Sequence, residues 1–153
     1  LRVHGMDGER SFPVEDLFRL PGETPHLEHT LRPGELIVEV RVPGAPQGRC
    51  ARYLKVRDRA SYEFALVSAA VALDIVDGRI LGARIAAGGV GARPWRMRAS
   101  EAALIGKAAS REAFLVAAEL ALQGARPLSG NHYKVELLKR TIVRALEMAG
   151  EMA

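Results

Sequence analysis

Between residues 65 and 90 the chain alternates apolar and small or polar side chains with a period of two. The odd positions Ala65, Val67, Ala69, Val71, Leu73 and Ile75 share one face, while Ser68 and Asp74 fall on the other. Successive side chains of a strand point to opposite faces, so this stretch predicts a strand with one buried side. After Asp77-Gly78 the alternation resumes with Leu81, Ala83, Ile85 and Ala87 on one face and Arg84 on the other. For the two apolar faces to coincide, odd positions must pair with odd. That reasoning favours a three-residue loop, Val76-Asp77-Gly78, over a two-residue one, with Gly78 in the left-handed conformation. The register expected from it pairs Leu73 with Leu81, Val71 with Ala83 and Ala69 with Ile85.

Shorter strands precede this hairpin. Residues 1–10 read as a strand with a turn at Asp7-Gly8, and Phe12–Leu20 as an amphipathic turn or two. Residues 35–42, ELIVEVRV, read as a strand with the apolar face Leu36, Val38, Val40 and Val42. A Pro/Gly-rich run, residues 43–48, marks the best domain boundary. Residues 51–56 give another strand, with Leu54 and Val56 opposed to Tyr53 and Lys55. The charged run 57–63 then connects it to the hairpin. The glycines at 88, 89 and 91 lack the Lys-Ser/Thr of a phosphate-binding P-loop and any GxGxxG, so they read as a close backbone crossing.

Three helices complete the chain. Ser100 is expected to cap residues 101–105, with Gly106 as the stop. Ser110 is expected to cap residues 111–122, which carry Phe114, Leu115, Ala118 and Leu122. Residues 133–148 place Val135, Leu138, Ile142 and Ala145 at helical spacing, with Lys134, Lys139, Arg140 and Arg144 outside. The expected class is α+β: a three-stranded antiparallel sheet packed on a three-helix bundle, preceded by a short β-containing tail.

Composition narrows the function classes. Of 153 residues 48% are hydrophobic and 26% charged, which suits a globular domain, and only 5% are aromatic, so the core must be aliphatic. No apolar run is long enough to span a bilayer. The net charge of +4 comes from arginines scattered among acids, without a basic, aromatic-interleaved stripe, which argues against nucleic acid. The single cysteine, Cys50, allows neither an internal disulfide nor a cysteine cluster. His26 and His29 lie in a polar, proline-containing segment and read as surface residues rather than metal ligands. No catalytic constellation stands out, so the residues describe a binding or assembly domain.

The run Tyr53-Leu54-Lys55-Val56-Arg57-Asp58-Arg59-Ala60-Ser61-Tyr62, followed by residues 65–70, resembles the FAD-binding subunit of molybdenum hydroxylases. That family includes xanthine dehydrogenase, aldehyde oxidoreductase and carbon monoxide dehydrogenase. Gly88-Gly89-Val90 with Pro94-Trp95, then Glu101, Leu104 and Gly106, and Tyr133-Lys134 carry the same resemblance. It implies that residues 1–46 are the end of an FAD-binding domain and residues 50–153 its C-terminal companion. The glycine-rich loops that chiefly hold FAD would precede this chain, whose start at Leu1-Arg2-Val3 suggests a piece of something longer.

Of cofactor contacts, the resemblance implies Leu36 and Ile37 as the apolar pair against FAD and Lys55 as the lysine near the flavin. Arg59 matches a recurrent position without an assigned role. The implied system passes electrons from a molybdopterin subunit through two-iron two-sulfur clusters to FAD. Its partners would be the iron–sulfur and molybdopterin-binding subunits in an oligomeric complex, with no nucleic acid and no membrane. A cytoplasmic setting is expected, with periplasmic delivery by a partner's signal as the alternative. The competing reading is a stand-alone interaction module binding an acidic partner or nucleic acid.

Overall fold

The computed structural model describes residues Leu1–Ala153. The chain divides into two compact units: 1–44 with 91–93, and 45–90 with 94–153.

In the first unit, β1 (Arg2–Gly5) and β2 (Gly8–Ser11) form a hairpin, and β3 (Leu36–Glu39) pairs antiparallel with β1, giving the order β2-β1-β3. The turn of the hairpin is Met6-Asp7, with Gly8 at φ +102°, one residue earlier than Asp7-Gly8. Strand β3 is half the length the alternation suggests. Leu36, Val38, Val40 and Val42 are 71%, 49%, 66% and 82% exposed, so periodicity identifies a shared face but not a buried one. The unit is tied together by Glu35. Its carboxylate accepts from Arg10 Nε and Nη2, both at 2.7 Å, and from the Arg32 backbone N–H at 2.7 Å.

Those donors hold the Glu35 carboxyl at about 2 instead of an ordinary 4.5, the Arg10 hydrogen bonds contributing most. A depressed carboxylate pKa stabilises the fold above the ordinary value, and that contribution is lost as pH falls through the folded one. Protection of the Arg32 amide from hydrogen exchange is therefore expected to decline between about pH 4.5 and about pH 2. Glu35→Gln should flatten that decline; an unchanged profile in the variant would refute the assignment.

The second unit is a four-stranded antiparallel sheet beneath three helices. Its strands β4 (Cys50–Val56), β5 (Val67–Val76), β6 (Arg79–Gly88) and β7 (Trp95–Arg96) lie in chain order. The three long strands are those the sequence predicts, and β7 adds a two-residue edge. The α+β class stands. The hairpin register differs from the expected one. Val76 pairs with Arg79 across a two-residue turn in which Asp77 and Gly78 have φ +48° and +72°, as in a type I′ turn. Leu73 pairs with Ala83, Val71 with Ile85 and Ala69 with Ala87. A β-bulge reconciles the turn with the apolar period: Asp74 faces Gly82 and Ile75 faces Ile80, leaving Leu81 as the extra residue. Ile80 is consequently fully buried and Leu81 is 55% exposed, the reverse of the expectation for Leu81.

Helices α1 (Arg98–Leu104), α2 (Arg111–Ala121) and α3 (Tyr133–Gly150) cover the face bearing Val67, Ala69, Val71, Leu73, Ile85 and Ala87. Helix α3 runs against β4 and β5, α1 against β6, and α2 against both other helices. Phe114, Leu138, Ile142 and Leu146 supply the helical side of the core. The Ser110 hydroxyl accepts from Ala113 N at the start of α2 as expected. Ser100 does not cap α1. The helix begins at Arg98, and Ser100 sits within it, fully buried, its hydroxyl without a partner. Cys50 is a buried free thiol, and His26 and His29 are exposed. No helix is long and apolar enough to cross a membrane.

Candidate functional site

Strands β4 and β5 are adjacent and antiparallel, with Val56 opposite Val67. The connection between them, residues 57–66, must therefore double back at the end of the sheet, and the Leu66 N–H closes its base on the Val56 carbonyl at 2.8 Å. Inside this loop the Glu63 carboxylate turns inward. Its Oε2 accepts from the backbone N–H groups of Asp58 and Arg59, both at 2.9 Å. The Arg59 guanidinium donates to the Tyr62 carbonyl, which assigns Arg59 a part in shaping the loop. Lys55 donates from Nζ to the Glu63 carbonyl at 2.6 Å, tying the loop to the last turn of the pleat on β4.

These bonds spend the Lys55, Arg59 and Glu63 side chains on the loop itself and leave its rings outside. Tyr62 adopts φ +51°, a left-handed conformation that a bulky residue enters at a cost of about 1–2 kcal/mol. The side chains on either side of Glu63 are then in water: Tyr62 and Phe64 are each 94% exposed. Two uncovered rings held on a braced loop form a surface built to be covered. Lys55 belongs to a cross-strand row with Ser68 and Gly88, on the sheet face away from the helices. A cation, a hydroxyl and a bare glycine thus lie side by side at the foot of the loop.

The backbone behind this row is fixed by Gly89. At φ +73° its missing Cβ would lie 2.9 Å from the Leu66 carbonyl oxygen and 3.0 Å from that of Ala65. This is the close crossing that the glycine run suggests, made at the residue where the loop rejoins the sheet. In the first unit, Leu36 and Ile37 are adjacent on β3 and hence on opposite sides of it, 71% and 43% exposed. Ile37 also lines a crevice of about 490 Å³ with Phe18, Leu27 and Leu31. No group of three or more His, Cys, Asp or Glu side chains is placed to hold a metal ion.

Sequence reasoning singles out Lys55 but not Tyr62 and Phe64 as a pair. The signal available was two aromatics, two residues apart, in a run otherwise too polar to bury them.

Fold and site together define a sheet-and-helix module that presents one braced, aromatic-tipped loop. The chain belongs to the CO dehydrogenase flavoprotein C-terminal domain family, whose model matches residues 52–149. It is 43% identical over 144 residues to the aldehyde oxidoreductase FAD-binding subunit PaoB of Escherichia coli (strain K12), an alignment covering 94% of this chain and 42% of that one. Carbon monoxide dehydrogenase from Hydrogenophaga pseudoflava, in a structure lacking the Mo-pyranopterin moiety, superimposes with a TM-score of 0.86 at 28% identity, over 99% of this chain and 52% of its own. Quinoline 2-oxidoreductase from Pseudomonas putida 86 gives a TM-score of 0.83 at 26% identity, over 98% of this chain and 51% of its own. The chain spans about half the length of the relatives it matches. Membership of this family leaves the stand-alone nucleic-acid or acidic-partner module without support.

Proposed function

We propose that this chain forms the C-terminal half of the FAD-binding subunit of a molybdopterin-dependent oxidoreductase of the aldehyde-oxidoreductase or xanthine-dehydrogenase type. In that role it supports FAD while electrons pass from two-iron two-sulfur clusters to an acceptor. Its partners are an iron–sulfur subunit and a molybdopterin-binding subunit. The observation that carries this reading is the braced loop with Lys55 at its foot and Tyr62 and Phe64 exposed at its tip, in a chain of the flavoprotein family. The similarity to an FAD-binding subunit and to medium subunits supports a multi-subunit setting, and the single buried thiol suits a reducing cytoplasm, where we place the subunit.

The residues present fit a flavin. A planar tricyclic ring needs an aromatic or apolar cover and gains from a nearby cation. Phe64 or Tyr62 supplies the cover and Lys55 the cation. Bound FAD would supply the exchange of electrons between one-electron and two-electron carriers. The Lys55 ammonium, anchored on the Glu63 carbonyl, would stabilise negative charge that develops on the reduced ring. The aromatic tip would exclude water from it.

In the assembled subunit, Lys55→Met is expected to lower the flavin midpoint potential by on the order of 30 mV. Phe64→Ala, combined with Tyr62→Ala, should reduce FAD retained through purification to a minor fraction. Full flavin content and an unshifted potential in both variants would contradict the assignment. The chain of residues 1–153 alone is expected to bind FAD weakly; nanomolar affinity would show that the cofactor-holding elements lie within it.

A further inference from the structure

We propose that the cavity at the turn between α2 and α3 is a binding site for a small aromatic carboxylate. It shares with the loop described above only the backbone at Gly89, and its volume of about 550 Å³ lies within the range of small-molecule sites, roughly 300–1,000 Å³. Three features of its lining select the ligand. The floor is apolar, formed by Met97 from the start of α1, Leu122 from the end of α2 and Leu138 from α3. One wall is the indole of Trp95, 48% exposed, which offers a face for an offset ring. The charged side chains of the lining are Arg126 and Lys134, with no carboxylate among them.

The two cations are placed differently. Lys134 Nζ donates to the Gly89 carbonyl at 3.0 Å, which fixes its charge at the cavity wall. Arg126 lies exposed on the α2–α3 loop and makes no hydrogen bond or ion pair within the chain. A free guanidinium on the rim of an apolar cavity matches a planar carboxylate, which it can bind through two parallel hydrogen bonds. Inorganic phosphate satisfies the cations but leaves the floor and the indole uncovered, and a neutral ring does the converse. A ring carrying one carboxylate meets all three requirements.

Trp95 is the one tryptophan in the sequence, so a single indole N–H resonance reports on this cavity. Titrating the full chain with 1-naphthoate, followed by ¹H–¹⁵N correlation spectra, is expected to shift that resonance saturably with a half-point of about 1 mM. Arg126→Ala should weaken binding about tenfold and Arg126→Lys by less, with the fold intact because Arg126 is exposed and unpartnered. The neutral 1-naphthalenemethanol should bind about tenfold more weakly than the acid. A shift that does not saturate would overturn the proposal. Equal binding of alcohol and acid would also overturn it, reducing the cavity to an apolar crevice, as would an affinity indifferent to Arg126→Ala.

Discussion

Glu101→Ala is expected to destabilise the second unit by about 2–4 kcal/mol, a fall in melting temperature of about 10 °C or more. The reason lies in where β7 ends. Strand β6 pairs with only two residues of β7, Ala86 with Arg96 and Ala87 with Trp95. Past them, the Ile85 carbonyl accepts from the Met97 N–H at 2.9 Å, and the Ile85 N–H is left facing the first turn of α1. Glu101 fills that vacancy in the ladder: its Oε1 accepts the Ile85 N–H at 2.8 Å. The same carboxylate receives Arg96 through both Nε and Nη2, the latter at 2.9 Å.

The Glu101 side chain is only 10% exposed, so removing it strands a buried backbone N–H, which costs about 1–3 kcal/mol. Arg96 is 35% exposed and can turn part of its guanidinium to water, so the full penalty of about 3–5 kcal/mol for breaking a buried pair does not apply. Glu101→Gln keeps an acceptor for Ile85 but sets an amide NH₂ against the guanidinium, and should fall between wild type and alanine. Urea midpoints measured on the three proteins check the order. A loss under 1 kcal/mol for alanine would mean that the ladder closes without the carboxylate.

The hairpin shows what alternation reveals and what it hides. Odd positions do pair with odd through the body of β5 and β6, as the apolar faces require. The turn nevertheless has two residues, because Asp77-Gly78 satisfies a type I′ geometry and the parity conflict is absorbed a few residues on, at Leu81. Two neighbouring aliphatics, Ile80 and Leu81, let either residue be assigned inward, so the bulge leaves no mark in the period. At α1 a Ser-Glu pair imitates a cap, whereas Glu101 is committed to Ile85 and Ser100 to the core. Along β3 the alternation Leu36, Val38, Val40 describes a face truly, but no periodicity says what covers it. The loop is the least legible part. Its form depends on one carboxylate folding back onto two amides, a contact that leaves no mark in the hydrophobic pattern.

The neighbouring glycines of the β6 terminus should respond very differently to the same added methyl group. Gly89→Ala is expected to cost about 3 kcal/mol or more. Its Cβ would meet the Leu66 and Ala65 carbonyl oxygens at 2.9 and 3.0 Å, both backbone atoms that no rotamer change can remove. The left-handed φ of +73° adds about 1–2 kcal/mol for any L side chain. Gly88→Ala brings its Cβ to 2.6 Å from an atom too, but that atom is the Ser68 hydroxyl, at the end of a side chain that can rotate. Its cost should be near 1 kcal/mol, and Ser68→Ala should recover most of it, since only the hydroxyl is in the way. Because Ala65 and Leu66 form the base of the loop that carries Tyr62 and Phe64, Gly89→Ala should also loosen that loop. Amide exchange at Asp58 and Arg59, whose N–H groups are held by Glu63, would then accelerate in Gly89→Ala and stay near wild type in Gly88→Ala. Equal stability losses in the two variants, or unchanged exchange at those amides in Gly89→Ala, would separate the crossing from the loop and remove the argument that one braces the other.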